Sequence, residues 1–257
     1  MQAVILAAGK GSRLGEVSED RPKCLQPVGG RTILEIQLQI LADLGIEEVC
    51  VVAGFKIGLV KEILERRNRS LILENERFAE TNSLYSLWLA RDWIRSSFLC
   101  INGDVVGHPK IYRCVVEAPG CALAYDSGSG KDPEHMKVHL FHSRLRSVGK
   151  DLPGPEVDGE NVGILKFEGA GTKAMLEEAD RVIGRREWMQ WVPSALNGIA
   201  ASHPVHCVDI AGLPWVEVDF PGDLEIARNR VWPAVRAQLL NGKTRPEASC
   251  RRLDLPA

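Results

Sequence analysis

Two stretches near the N-terminus say most about this chain: VILAAGKGSRLG at residues 4–15 and RPKCL at residues 21–25. The first is a short apolar run that ends in small residues and a glycine-rich turn. Glycines let a backbone adopt positive φ and approach a ligand closely, and the N–H groups of such a turn bind anionic oxygens. Lys10, Arg13 and Lys23 add positive charge on both sides of the turn. The pattern predicts a strand followed by a loop that binds a triphosphate.

Spacing excludes the two commonest glycine-loop motifs. The P-loop requires G-x-x-x-x-G-K-[ST], but the segment from Gly9 to Gly15 does not end in Gly-Lys-Ser/Thr. The dinucleotide fingerprint G-x-G-x-x-G needs its last glycine where this chain has Leu14, and the glycine comes one position later. Taken alone, the segment is also compatible with an ordinary strand-to-helix turn.

The complete string resembles the signature of a nucleotidyltransferase family that includes sugar-1-phosphate nucleotidyltransferases and phosphocholine cytidylyltransferases. The family pattern is approximately L-A-A-G-x-G-[ST]-R-[LM], followed by P-K-x-L. The chain matches it at Leu6, Ala7, Ala8, Gly9, Gly11, Ser12, Arg13, Leu14, Pro22, Lys23 and Leu25. The resemblance implies that this loop binds a nucleoside triphosphate. It also implies catalytic roles for Arg13 and Lys23, which would stabilise developing charge on the α-phosphate and the leaving group.

Composition limits the partners of the chain. Its 257 residues are 45% apolar and 26% charged, as in ordinary globular proteins. A net charge of −2 argues against nucleic acid or an anionic membrane surface as the main partner. No apolar run reaches the roughly 18 residues of a membrane-spanning helix. The absence of a cationic N-terminal segment and of any CxxC pair among seven cysteines predicts a cytoplasmic protein with buried thiols and no zinc site.

Hydrophobic periodicity predicts an α/β fold. Strands are expected at residues 2–7, 48–53, 70–73 and 98–102, alternating with helices at 33–44, 58–67 and 81–93. This alternation is typical of a doubly wound, mostly parallel sheet, and the resemblance implies its Rossmann-like, GT-A-like form. Later strands, expected at 122–125, 137–141, 145–148, 162–167, 205–209 and 215–218, predict an inserted, β-rich acceptor-binding subdomain. A final helix is expected within 221–236.

The same patterns predict one domain at residues 1–236, which the resemblance implies is a nucleotidyltransferase domain. The resemblance further implies a nucleotide-binding half at 1–110 and a second half at 111–236 that binds the acceptor and supplies the second metal ligand. Residues 237–257 are polar and aperiodic, and we expect a tail there.

Two aspartates are the candidate metal ligands. Nucleotidyl transfer needs a divalent cation across the phosphates, and Mg²⁺ prefers one or two carboxylates with phosphate oxygens and water. Asp104 follows the apolar run FLCIN and Gly103, which leaves room for a ligand. Asp219 lies in WVEVDFP, where alternation places Glu217 on the same strand face. Relatives carry metal-binding aspartates in similar strings, although a capping role would explain either residue.

A third cluster indicates the nucleobase site. The stretch ENERFAETNSLYSLWLAR at residues 74–91 resembles the phosphocholine and 2-aminoethylphosphonate cytidylyltransferase branch more than the sugar branch. In that branch the corresponding segment lies against the base. The resemblance therefore implies that Asn75, Asn82 and Ser83 bind the nucleotide, together with Ala8. Helix capping is the ordinary alternative for this segment.

The acceptor site is the least determined. Segments around Lys137, Lys150 and Gly163 resemble the acceptor side of the same branch. In that branch a lysine at the position that corresponds to Lys150 binds the acceptor phosphate. Aromatic side chains could form a cage for a quaternary ammonium group; the candidates are Tyr85, Trp188, Trp191 and Trp215. Relatives that take choline phosphate place acidic residues near such aromatics. In the segment EWMQWVP at residues 187–193 of this chain, only Glu187 is acidic. The two tryptophans at 188 and 191 are also compatible with a core position.

These observations predict a Mg²⁺-dependent enzyme that transfers a cytidylyl group from CTP to a small phosphate or phosphonate acceptor. The alternatives are a sugar-1-phosphate nucleotidyltransferase that uses UTP, GTP or dTTP, a non-catalytic nucleotide-sensing module, and a GT-A-type glycosyltransferase. The last would have no need for the pair of Arg13 and Lys23. A homodimer is compatible with the sequence, which does not determine the oligomeric state.

Overall fold

The first half of the computed structural model alternates strands and helices, as predicted. The structure describes residues 1–15, 20–65, 70–129 and 133–241. In chain order the first half forms β1 (Gln2–Ala7), a hairpin of β2 (Pro27–Val28) and β3 (Arg31–Thr32), α1 (Ile33–Asp43), β4 (Val49–Ala53), α2 (Ile57–Leu64), β5 (Ser70–Glu74), α3 (Ser83–Leu89) and β6 (Phe98–Asn102). The four long strands pair in parallel in the order β5-β4-β1-β6.

The second half is rich in strands and mixed in direction. It forms β7 (Val105–Gly107), α4 (Pro109–Glu117), β8 (Cys121–Asp126), β9 (Lys137–Phe141), β10 (Arg144–Gly149), β11 (Gly159–Phe167), α5 (Ala170–Gly184), α6 (Val192–Ile199), β12 (Val205–Asp209), β13 (Trp215–Glu217), α7 (Pro221–Ile226), a π-helical segment (Ala227–Val231) and α8 (Trp232–Asn241). Strand β11 pairs antiparallel with β6 and β8, so a single nine-stranded sheet runs through both halves in the order β5-β4-β1-β6-β11-β8-β12-β10-β9.

Apolar side chains alternate between the two faces of the sheet, and helices cover each face. Ile5 of β1 belongs to the core beneath α1, α4 and α8, whereas its neighbour Val4 belongs to the core beneath α3, α5 and α6. Because a strand turns successive side chains to opposite faces, both faces of β1 are apolar and fully buried from Ala3 to Ile5. The predicted doubly wound α/β architecture is thus confirmed.

Local signals in the sequence set the ends of α1. Thr32 and Glu35 form a capping box, in which Thr32 Oγ1 accepts from the Glu35 N–H at 3.2 Å and Glu35 Oε2 accepts from the Thr32 N–H at 2.8 Å. The helix is followed by Gly45, whose φ of +75° glycine adopts without strain. These ends hold the long apolar face of α1 against the sheet.

Several predicted boundaries need correction. Helix α3 spans only Ser83–Leu89, within the predicted 81–93. Helix α8 continues to Asn241, so residues 237–241 are helical and the expected tail cannot begin before residue 242. The rest of that tail, and the predicted helical residues 66–67, lie outside the described residues. Sequence patterns also missed α4, α6, β7 and the hairpin of β2 and β3.

No helix in the described residues is a candidate for spanning a membrane. In the ranges that the structure describes, none combines the length and apolarity needed to cross a bilayer. Five cysteines there, at positions 24, 50, 100, 121 and 207, are free thiols, and all but Cys207 are buried.

Candidate active site

The glycine-rich loop follows β1 at the carboxyl edge of the parallel strands. Gly11 has a φ of +69° and precedes a 3-10 turn at Ser12–Leu14. A Cβ at Gly11 would lie 2.5 Å from Lys23 Cγ, so a side chain there would collide with the lysine stem. Glycine at this position therefore lets Lys23 pass beneath the loop, which explains physically why the two motifs occur together.

Lys23 is the centre of an ionic cluster. Its Nζ lies 3.2 Å from Asp104 Oδ2 and donates a hydrogen bond to Asp219 Oδ1, and Arg13 Nη2 lies 2.9 Å from Asp219 Oδ2. Burial disfavours the ammonium form, but the two carboxylates outweigh it and raise the pKa of Lys23 above its ordinary value. Burial also opposes ionisation of Asp219, yet Lys23 and Arg13 hold the pKa of Asp219 below its ordinary value. These groups are therefore charged at neutral pH.

The carboxylates of Asp104 and Asp219 fit a divalent cation. They come from the turn between β6 and β7 and from the segment after β13, and both bind one cation in common, the Lys23 ammonium. Within the described ranges no cluster of three or more His, Cys, Asp or Glu side chains forms a complete metal cage. Two carboxylates facing open space are what Mg²⁺ requires when phosphate oxygens and water complete its shell.

Glu217 is a third acid beside this pair. Burial, with the nearby Asp104 and Asp219 charges, raises the pKa of Glu217 to about 8. Its Oε1 accepts a hydrogen bond from Asn102 Nδ2 at 3.3 Å. At neutral pH a largely protonated Glu217 therefore lies beside the ionised Asp219.

Two adjoining clefts lie above this cluster and share its lining. The larger, of about 330 Å³, extends from the glycine loop to the second half of the sheet. The smaller, of about 190 Å³, lies against the loop itself. The larger cleft is lined by Leu6, Ala8, Gly9, Arg13, Lys23, Asn75, Asn82, Ser83 and Asp104, among others, and the smaller adds Ala7, Gly11, Ser12 and Gly103. The structure thus brings together all the residues for which the sequence predicts nucleotide binding.

At one end of the larger cleft, the polar side chains hold the wall itself. Asn75 Nδ2 donates to Thr81 Oγ1 at 3.0 Å and to Ser86 Oγ at 3.1 Å. Asn82 caps α3 by accepting from the Ser83 N–H at 2.8 Å. Capping and cleft lining coexist here, so the predicted base site has a rigid, hydrogen-bonded wall.

At the other end, Glu134 joins the two halves of the site. Its Oε2 lies 2.5 Å from Arg13 Nη1 and 3.4 Å from Lys150 Nζ. Lys150 also lies 5.5 Å from the centroid of the Trp191 ring. Lys150, which has the larger effect, and Arg13 lower the pKa of Glu134 below its ordinary value. Sequence patterns missed Glu134, because its link to Arg13 spans 121 residues of chain.

Asn161 is a second residue that the sequence patterns missed. It lies on β11, lines the larger cleft and is only 4% exposed. Its Oδ1 is buried, and no hydrogen-bond partner for it occurs in the described part of the chain. Buried polar atoms of native proteins are nearly always paired. Asn161 therefore adds to the lining of the cleft a buried amide whose oxygen has no partner among the described residues.

Four residues predicted to bind the acceptor lie elsewhere. Lys137 is buried and donates from Nζ to the His135 carbonyl at 2.7 Å. The Tyr85 ring packs on Trp88 at 5.4 Å. The Arg77 guanidinium lies 3.9 Å from the centroid of the Trp188 ring, and Gly163, with φ of +76°, packs against the Asn102 side chain. None of the four lines the larger cleft, and their acceptor-binding role stays a prediction.

The aromatic cage is also absent from the described residues. Of its four candidates only Trp191 lines the cleft. Trp215 instead donates from Nε1 to Asp126 Oδ2 at 2.8 Å. Lys150 and Trp191 thus remain the predicted acceptor-side residues that the structure places at the site.

Comparison with known families agrees with this arrangement. Residues 3–165 match the model of the MobA-like NTP transferase domain. The chain belongs to that family. The matched region contains the glycine loop, Lys23, Asp104 and Lys150 of this NTP transferase domain, whereas Trp191 and Asp219 lie beyond it. Their place in the site is therefore known from the structure.

Individual relatives are named as cytidylyltransferases or related synthases. The domain is 32% identical over 248 residues to the CMP-5'-(3-aminopropyl)phosphonate synthase of Streptomyces rubellomurinus, covering 91% of this chain and 39% of that protein. It is 25% identical over 252 residues to the CTP:phosphoglutamine cytidylyltransferase of Campylobacter jejuni, covering 88% of this chain and 98% of that protein. The chain thus spans well under half of the first relative and nearly all of the second.

A solved structure shares the fold. The inositol-1-phosphate CTP transferase from T. maritima superposes with a TM-score of 0.78 at 21% identity, covering 94% of this chain and 96% of that one. Together with the named relatives, this places the NTP transferase domain among nucleotidyltransferases of Rossmann-like α/β architecture.

Proposed function

We propose that this domain catalyses Mg²⁺-dependent transfer of a cytidylyl group from CTP to a small phosphate or phosphonate acceptor, releasing pyrophosphate. The observation that carries the proposal is the cluster beneath the glycine loop. There Lys23 is bound by both Asp104 and Asp219, and Arg13 shares Asp219. An anion-binding loop, two cations and two convergent carboxylates are the groups that nucleotidyl transfer needs.

The residues have separate roles in this reaction. An acceptor oxygen attacks the α-phosphorus, forming a new P–O bond while the bond to the bridging oxygen of pyrophosphate breaks and leaves its electron pair on that oxygen. Loop N–H groups, Arg13 and Lys23 stabilise the charge that develops on the α-phosphate and the leaving group. Asp104 and Asp219 hold Mg²⁺, which neutralises charge on the phosphate oxygens when bound. An ionised phosphate or phosphonate oxygen is already nucleophilic, so no side chain has to remove a proton.

The contacts among these residues change when substrate arrives. Arg13 and Lys23 are bound by carboxylates in the structure, and Lys150 lies beside Glu134. Triphosphate oxygens and the acceptor oxyanion compete for these cations.

CTP is favoured because several relatives are named for it. The Campylobacter jejuni relative is a CTP:phosphoglutamine cytidylyltransferase, and the Streptomyces relative is named for a CMP-linked phosphonate product.

The test measures pyrophosphate release from CTP, UTP, GTP and dTTP, with and without Mg²⁺. The acceptor panel contains 2-aminoethylphosphonate, 3-aminopropylphosphonate, inositol-1-phosphate, glucose-1-phosphate and phosphocholine. We expect at least about tenfold higher kcat/KM with CTP than with the other nucleotides, which corresponds to about 1.4 kcal/mol of discrimination. A preference for UTP, GTP or dTTP with glucose-1-phosphate would instead identify a sugar-1-phosphate nucleotidyltransferase.

A matched pair of lysine variants tests the site itself. Lys23→Met should lower kcat/KM by about 100-fold or more, the usual effect of removing one electrostatic contact to a transition state. Lys61→Met, on the exposed side of α2, is the control and should leave activity unchanged. Absence of turnover with every nucleotide and acceptor, together with unchanged CTP affinity in Lys23→Met, would refute the proposed function.

A further inference from the structure

Gln37 is a fully buried polar side chain in an otherwise apolar part of α1. It is 0% exposed, and Ile36 and Leu38 on either side of it are buried as well. A buried amide lowers stability unless its polar groups are hydrogen-bonded. Gln37 belongs to none of the motifs that indicate nucleotide, metal or acceptor binding. Its Oε1 has no hydrogen-bond partner among the described residues, so its position needs an explanation from the bonds of its Nε2.

The Gln37 amide spans the turn that carries Asp104. Its Nε2 donates one hydrogen bond to the Asn102 carbonyl at 2.8 Å and another to the Val105 carbonyl at 2.9 Å. These two carbonyls lie immediately before and after Gly103 and Asp104, between β6 and β7. One side chain thus holds both ends of the turn.

The same turn is packed tightly on the opposite side. A Cβ at Gly103 would lie 2.8 Å from the Leu6 carbonyl oxygen and 2.9 Å from Ala7 Cβ. The turn is therefore pressed between the end of β1, where the glycine loop begins, and the Gln37 amide. Neither side leaves room for a different backbone path without a shift of its neighbours.

The turn also determines where Asp219 lies. The Asp104 carbonyl accepts a hydrogen bond from the Val218 N–H at 3.0 Å. Just after the turn, β7 pairs with β13 in a register that places Val105 opposite Glu217. Asp219 follows this paired segment by two residues, so its backbone is anchored to the turn that Gln37 holds.

We propose that Gln37 is a positioning residue for the divalent-cation site: its amide fixes the Gly103–Asp104 turn and thereby the separation of the Asp104 and Asp219 carboxylates. This inference rests on the proposed metal-binding role of the two aspartates. Gln37 touches neither the carboxylates nor the cleft, and it acts through the backbone between β6 and β7. Side chains that orient metal ligands commonly change metal affinity by about 10- to 100-fold.

The test compares Gln37→Met with Leu41→Met. Methionine has nearly the length of glutamine but donates no hydrogen bond, so the first variant leaves both turn carbonyls without their donor. Leu41 is buried on the same helix, and its replacement is a nearly volume-conserving core change. It therefore controls for altered packing of α1.

Two measurements separate positioning from general stability. In the metal-free protein, hydrogen exchange at residues 102–107 and 216–219 should be at least about tenfold faster in Gln37→Met than in Leu41→Met. The dissociation constant for Mn²⁺, measured by electron paramagnetic resonance, and the Mg²⁺ concentration for half-maximal activity should both rise about tenfold. The KM for CTP at saturating Mg²⁺ should remain unchanged.

Equal exchange and equal Mn²⁺ binding in the two variants would overturn the inference. If the wild-type enzyme neither binds Mn²⁺ nor depends on Mg²⁺, the proposed metal role fails, while the exchange data still decide whether Gln37 holds the turn. If Gln37→Met does not fold, Gln37→Asn takes its place, because its amide is one methylene too short to reach both carbonyls. Wild-type exchange and metal binding in Gln37→Asn would equally refute the inference.

Discussion

The two halves of the sheet pair their strands differently and contribute different groups to the site. In the first half, β5, β4, β1 and β6 pair in uninterrupted parallel register. In the second half, for which we propose acceptor binding, the pairing of β9 with β10 shifts between Leu145 and Ser147, and the pairing of β8 with β11 shifts between Asn161 and Leu165. The regular half contributes strand-end turns whose backbone and side chains, with Asp219, form the ionic cluster, whereas the irregular half otherwise contributes separate side chains to the cleft.

This difference suggests how one fold can keep its reaction and change its acceptor. Backbone groups at strand ends are fixed by the register of the whole sheet. The part of the site next to the glycine loop therefore tolerates little variation. Lys150, Trp191 and Asn161 reach the cleft individually from a turn, a helix start and a strand. Each can be exchanged without altering the parallel strands.

Adding a methyl group at one glycine in each half tests this contrast, and we expect it to have the largest effect. Gly103→Ala should lower the free energy of unfolding by at least about 1–3 kcal/mol, because its Cβ would meet the end of β1. It should also reduce kcat/KM, because Asp104 is the next residue. The nearest neighbour of a Cβ at Gly149 is Leu152 Cγ at 4.0 Å, so Gly149→Ala should be nearly neutral.

Urea denaturation and steady-state kinetics of both glycine variants provide the measurement. Equal loss of stability in the two would show that the acceptor half is as tightly constrained as the nucleotide half, which would remove the basis of the comparison.

An intermediate effect is expected for Lys150→Gln. Loss of one hydrogen bond to a charged group is worth about 1.5–3 kcal/mol, so the KM for the acceptor should rise about tenfold or more. The KM for CTP should change little, because in the described part of the chain Lys150 is linked to Arg13 through Glu134. Lys173→Gln, at an 80% exposed position on α5, is the control. A matching rise in the KM for CTP would assign Lys150 to the triphosphate site instead.

The smallest expected effect is a pH dependence of stability that arises at His206. This residue lies opposite Arg144 in the pairing of β10 with β12. Burial first, and then the charges of Arg144 and Lys166, lower the pKa of His206 below its ordinary value of 6.5. The unfolded chain therefore binds a proton at a higher pH than the folded chain does. Stability should consequently fall as the pH drops below about 6.5 towards the lowered pKa.

Thermal unfolding between pH 8 and pH 5 measures this effect. His206→Gln should lose less thermal stability than the wild type as the pH falls through that interval. Parallel curves for the two proteins would mean that His206 titrates alike in the folded and unfolded chains.

The nucleotide half can be predicted from sequence because its signals are local. Each parallel strand is an apolar run bounded by glycine or a capping residue, and strand ends of a parallel sheet meet at one edge. That geometry is sufficient to place Gly9 and Asp104 at the same edge, and the family resemblance adds Lys23 and Asp219. The pairing of Asp219 with that lysine is observed directly.

The acceptor half could not be predicted to the same extent, because its contacts depend on irregular backbone. The sequence offers both Trp188 and Trp191 for an aromatic cage, but both precede α6 and lie in different surroundings. One ring packs on Arg77 and the other lines the cleft. Lys137 and Asn161 show the same limit, since the strand pattern does not determine which polar side chain reaches the cleft and which is held in the sheet.

Strand β11 has a consequence for protein engineering. Its residues pair with β6, β8 and β9, and the family match ends at residue 165, within this strand. A chimera that takes its acceptor half from a relative would have to reproduce the pairing of Ile164 with Ile101, because a slip of one residue would turn every side chain of β11 to the opposite face. The first and second halves of the sheet thus meet along the hydrogen-bonded pairing of β6 with β11. Exchanging loops alone would leave this pairing unchanged.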